Sequence, residues 1–125
     1  MAVNRRRGEV GAIIDGRERV LCLTLGALAE LEDAFAAEDV GALMRRFGSG
    51  RLGARDLMRI LGAGLRGAGE SVADVEVGAM RIDGGAAGAA VIAAELLTAA
   101  FGELGNAGAT QAGAAGSVGA ATANP

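Results

Sequence analysis

Leu21-Cys22-Leu23-Thr24-Leu25-Gly26-Ala27-Leu28-Ala29-Glu30-Leu31-Glu32 changes its hydrophobic period midway. Up to Leu25 the large apolar residues fall at every second position (Leu21, Leu23, Leu25), the spacing of a strand. After it they fall at Leu28, Leu31 and Phe35, one face of a helix. Thr24 or Gly26 can cap that helix, and Glu30, Glu32 and Asp33 follow soon after. Upstream, Asp15-Gly16 is the dipeptide a type I′ turn favours, so Val10–Ile14 and Arg19–Leu25 read as the arms of a hairpin.

Working outward, the periodicity predicts a first helix over Leu25–Ala36. A second carries Asp39 as its cap and Val40, Leu43, Met44 and Phe47 on its apolar face, and Gly48-Ser49-Gly50 stops it. A third runs from Ala54 to Arg66, with Leu57, Ile60, Leu61 and Leu65 opposite Arg55, Arg59 and Arg66. Ser71 reads as the cap of a short segment through Val72, Val75 and Met80. Gly84-Gly85 then breaks the chain before a last helix, Ala86–Phe101. The expected fold is α+β, mainly α: an N-terminal β-hairpin, four to five short helices and a disordered Gly/Ala-rich tail. Residues 1–7 read as a flexible basic arm, 8–102 as a single domain and 103–125 as the tail, which holds too little apolar surface to offset the entropy of ordering.

Composition removes most chemistry. The 125 residues include 22 Gly, 2% aromatics, no His and no Lys, with a net charge of −3. Without His there is no Ser-His-Asp or Cys-His pair and no imidazole ligand, and without Lys there is no Walker-type phosphate loop. Gly62-Ala-Gly64-Leu-Arg-Gly67 matches the G-x-G-x-x-G string of dinucleotide sites. It lies late in a helical pattern with no strand before it, so the pyrophosphate-binding turn is not there. Glu30, Glu32, Asp33, Glu38 and Asp39 lie on the polar side of an amphipathic pattern and read as a solvated face. No catalytic, cofactor or metal residues are assigned, and an enzyme is not expected.

Cys22 is alone in a strand pattern and reads as a small buried hydrophobe in a reducing compartment. Arg5-Arg6-Arg7 is followed by no apolar stretch, so no signal peptide is expected. Gly84–Gly102 is apolar apart from Glu95, but its average residue is Ala or Gly. We read it as a packed helix, not a membrane span.

Charge is segregated. Six Arg stand against one acid, Asp56, between Arg45 and Arg66, and five acids stand against no base between Glu30 and Asp39. Such patches either face one another inside the fold or pair head to tail between copies. Arg55, Arg59 and Arg66 are thus a candidate face for self-association or recruitment. Nucleic acid is a disfavoured partner, because no aromatic residues are interleaved and the net charge is negative. The last helix, apolar nearly all round, needs cover on most faces. Leu96, Leu97 and Phe101, supported by Leu28 and Leu31, are the candidate contact with a client protein.

Asn4-Arg-Arg-Arg-Gly-Glu-Val10, the Asp15-Gly16 turn, the Leu21–Glu32 run, Phe47-Gly-Ser-Gly-Arg51, Leu65-Arg-Gly-Ala-Gly69 and Gly84-Gly-Ala-Ala-Gly-Ala-Ala90 together resemble the gene-transfer-agent type of phage tail assembly chaperone. The resemblance spans Asn4 to Gly102. It implies a non-enzymatic bacterial cytoplasmic protein that binds the tape-measure protein, helps recruit tail-tube protein and is absent from the finished particle. The alternative is a structural minor tube or connector subunit retained in the particle. A tube subunit is expected to bring long strands to a ring of sheets, and one hairpin points instead to the chaperone. An Arg-faced nucleic-acid-binding regulator is the third reading.

Overall fold

The computed structural model describes residues 8–49 and 51–110, the last eight by backbone alone. The basic arm at residues 1–7, and residues 111–125 of the expected tail, lie outside the described residues. In chain order the elements are β1 (Glu9–Ile14), β2 (Arg17–Cys22), α1 (Leu25–Ala34), α2 (Val40–Gly48), α3 (Ala54–Gly67), α4 (Asp74–Val77) and α5 (Gly85–Thr110). This is the expected α+β, mainly α architecture.

β1 and β2 form an antiparallel pair in which Ile14 faces Arg17 across a two-residue turn. Asp15 and Gly16 both have positive φ, 54° and 77°, as a type I′ turn requires. The turn is clamped from outside. Asp15 N donates to the Arg81 carbonyl (2.7 Å), Asp83 N to the Ile13 carbonyl (3.1 Å) and Arg81 N to Asp15 Oδ1 (2.8 Å). A single bridge, Ile14 to Ile82, therefore covers the turn end of the outer edge of β1.

The second strand ends earlier than its apolar alternation suggests. Thr24 Oγ1 accepts from Ala27 N at 3.1 Å, which starts α1 at Leu25. Leu25 is then the first helical residue and is 83% exposed, while Leu21 and Leu23 are buried. A cap two residues past the strand has overridden the alternation. Further along, α4 is capped at Ala73 and not at Ser71: Glu76 Oε1 accepts from Ala73 N at 2.7 Å. The last helix continues to Thr110, past the predicted end at Phe101: Gly102 stands there, but no proline follows and the single glycine does not stop the helix.

α3 is the hub, touching α1, β2, α4 and α5. Its second half, Ile60 to Leu65, is buried on every side. Neighbours come that close because the glycines of the G-x-G-x-x-G string lack Cβ atoms. A Cβ on Gly67 would overlap the Cys22 carbonyl oxygen of β2. One on Gly64 would press on Leu96 Cδ1 at 3.0 Å and Leu21 Cβ at 3.2 Å, and one on Gly62 would overlap the Asp74 carboxylate. The motif is a packing seam. Around it Val10, Ile14, Leu21, Leu31, Leu43, Ile60, Leu61, Leu65 and Leu96 are fully buried.

In an open helix Gly→Ala gains about 0.5–1 kcal/mol. Gly67→Ala is expected to reverse that sign and cost roughly 1–3 kcal/mol by overpacking. Gly102→Ala, where an added Cβ meets nothing within 4 Å, should be neutral or stabilising. Urea denaturation of the two variants measures the contrast.

Candidate interaction groove

Two aromatic side chains seat α2. The Phe35 and Phe47 rings meet edge to face with centroids 5.1 Å apart. The Arg46 and Arg59 guanidinium carbons lie 5.2 and 5.8 Å from the Phe35 ring centre. Asp39 Oδ1 caps α2 by accepting from Ala42 N at 2.8 Å. Fastened to α1 this way, α2 stands beside α5 without closing on it.

Between them lies a groove of about 490 Å³. Phe47 and Phe101 lie deepest, only 7% and 8% exposed. Met44 and Leu52 line it from the side of α2, Leu97 from α5, and the exposed Ala90 and Ala94 leave it open above. Every lining side chain but Thr98 is apolar, so it offers shape and apolar surface but no acid, base or nucleophile. Such a groove suits the apolar face of a helix.

The candidate client residues separate. Leu28, Leu31 and Leu96 are core residues at 6%, 1% and 0% exposure, so the folded protein does not present them to a partner. Leu31 closes the interior under α1, and Leu96 lies on Gly64. Leu97 and Phe101 do reach the groove. Periodicity missed Met44, Phe47 and Leu52 as their companions, because it assigns a face to each helix separately and not a gap between two. By length and composition Gly85–Gly102 is apolar enough to cross a membrane; 28% of it, including Ala89, Ile92, Ala93 and Leu96, is buried in the protein interior.

The arginine face also divides. Arg66 is consumed inside the fold: Nε donates to Glu30 Oε1 (3.0 Å), and Nη1 to Asp74 Oδ1 and the Val72 carbonyl (both 2.9 Å). The hydrogen bond to Glu30, followed by that to Asp74, raises its pKa against the opposing pull of burial. Arg59 lies on Phe35, and only Arg55 is fully exposed. The acidic and basic patches thus partly satisfy each other within one chain, through Glu30 and Arg66. Arg19 makes a second link, pairing with Glu70 at 2.9 Å to tie β2 to the loop after α3. Among the described residues no three His, Cys, Asp or Glu side chains gather to hold a metal ion.

Leu96→Ala should cost about 2–5 kcal/mol of folding stability, and Leu97→Ala markedly less. Arg66→Met should cost about 1–2 kcal/mol after its part-exposed ion pairs are discounted for solvent screening, and Arg55→Met within about 0.5 kcal/mol. Denaturation midpoints rank all four.

Residues 7–103 match the family model described as phage tail tube protein, GTA-gp10. No curated protein and no solved structure matches the chain.

Proposed function

This chain belongs to the phage tail tube protein GTA-gp10 family, and from that premise we propose that it is a structural, non-enzymatic subunit of a phage-like tail. On this reading it is a minor tube or connector component that remains in the particle and contacts the tail-tube protein. The match of residues 7–103 to a tail tube family carries the reading. The lining of the groove supports it, being suited to holding another protein's helix and not to chemistry.

A second reading, the tail assembly chaperone that binds the tape-measure protein, is favoured by one observation. The sheet has two strands of six residues, and Ile82 bridges the Ile14 end of β1. So small a sheet has little to add to a tube wall built of continuous strands, whereas a helical protein with an apolar groove suits a transient escort.

Purified particles probed by quantitative mass spectrometry separate the two. The structural reading predicts this chain in particles at a fixed ratio to tube protein. Its absence from particles, together with loss of soluble tape-measure protein when the gene is deleted, would replace that reading with the chaperone.

A further inference from the structure

We propose that the α2–α5 groove receives an amphipathic helix of a different protein, one whose apolar row is bordered by carboxylates. The proposal rests on the reading above that the chain works by contact with other tail proteins, and it adds the chemistry of the segment bound.

Length sets the first property. From Ala90 to Phe101 the wall of α5 runs ~16 Å at 1.5 Å per residue, about three helical turns. A bound helix would therefore place apolar anchors at i, i+3 or i+4, and i+7. The small side chains of Ala90 and Ala94 allow close approach, and Phe47 and Phe101 form the floor for a large anchor.

Charge sets the second. At 100° per residue, Met44, Phe47 and Gly48 span one sector of α2, and Arg45 falls about 60° beyond Gly48, its Nη1 lying back over Gly41 on the same side as Asp39 Oδ1. Arg51 directly precedes Leu52, another lining residue. Both arginines are exposed, and among the described residues neither makes an ion pair. Arg46, by contrast, is drawn to Asp56 and Phe35. Of the two acids on α5, Glu95 and Glu103, only the side chain of Glu95 is described, and it belongs to a separate depression with Val91, Ala94, Thr98 and Ala99. An apolar groove with exposed arginines on the helix beside it and in the segment that follows that helix favours a bound helix with acidic flanks.

A second copy of this chain does not fit that description. The acids of α1 sit beside Leu28 and Leu31, which are buried. Val75 is exposed between Asp74 and Glu76, but α4 is one turn long. The exposed side of α5 is Ala and Val with almost no charge. Among the described residues no helix of eight or more residues presents an exposed row of large apolar side chains bordered by carboxylates.

The test uses the full chain and two fluorescent peptides of about 18 residues with identical Leu rows, one flanked by Glu and one by Lys. The Glu peptide should bind, shift the NMR signals of Leu97, Phe101 and Met44, and lose affinity as salt rises. Arg45→Glu with Arg51→Glu should weaken it roughly tenfold, and Ala94→Glu, at an exposed helical position, should abolish binding while leaving the fold intact. Equal binding of both peptides would overturn the acidic assignment. If neither peptide binds, the proposal fails. Concentration-dependent dimerisation lost in Ala94→Glu would then give the groove to a second copy. Because the peptides need no particle, either result is independent of whether the chain stays in the finished tail.

Discussion

The absence of Cβ atoms along α3 sets the spacing of the rest of the fold. With 22 glycines and few aromatics, the chain fills its core with Leu, Ile and Val side chains and brings backbones close together around them. At Gly67 the Cys22 carbonyl of β2 occupies the space a side chain would need, and at Gly64 the same holds for Leu96 and Leu21. Close approach places more atoms within van der Waals range per residue, so small side chains still give a dense interior. The penalty is glycine in the middle of a helix, about 1 kcal/mol each relative to alanine. Capping by Asp56, whose Oδ2 accepts from Gly53 N at 2.9 Å, offsets part of it.

That economy leaves α2 outside the tight packing. It is attached through Phe35, Phe47 and the guanidinium groups of Arg46 and Arg59, so larger side chains carry it on the flank of α1. The gap toward α5 is the consequence, and apolar residues line it because α2 is amphipathic and α5 is apolar nearly all round. A groove produced this way is a property of the architecture, available to a partner without rearrangement of the core. In a small protein of a phage tail tube family, this groove is the surface through which the proposed contact with another protein would be made.

Most of the fold was legible in the sequence where local chemistry and periodicity agreed. Asp15-Gly16 announced the turn, Asp39 the cap of α2, and Leu57 to Leu65 the buried side of α3. Where two local signals competed, the cap won: Thr24 turned Leu25 from a strand residue into an exposed helical one. The candidate groove was legible only in part. Leu97 and Phe101 could be picked out from an apolar helix, but Leu28, Leu31 and Leu96 share that pattern and went to the core. Which apolar residue is buried depends on long-range partners, here the α3 glycines and the α1–α2 aromatic pair, and neither is visible within one helix. The arginine face shows the same limit, since Arg66 is spent on Glu30 and Asp74, distant or weakly positioned in sequence. The G-x-G-x-x-G string carried a structural meaning that its best-known use conceals.

The central claim is that this chain meets other tail proteins through the α2–α5 groove. The most direct test places a photo-activated cross-linking amino acid at Ala94, and separately at Val75, an exposed residue outside the groove, in cells assembling tails. The account predicts a covalent adduct with another tail protein from Ala94 and none from Val75. Adducts from Val75 alone, or from Ala94 only to a second copy of this chain, would contradict it.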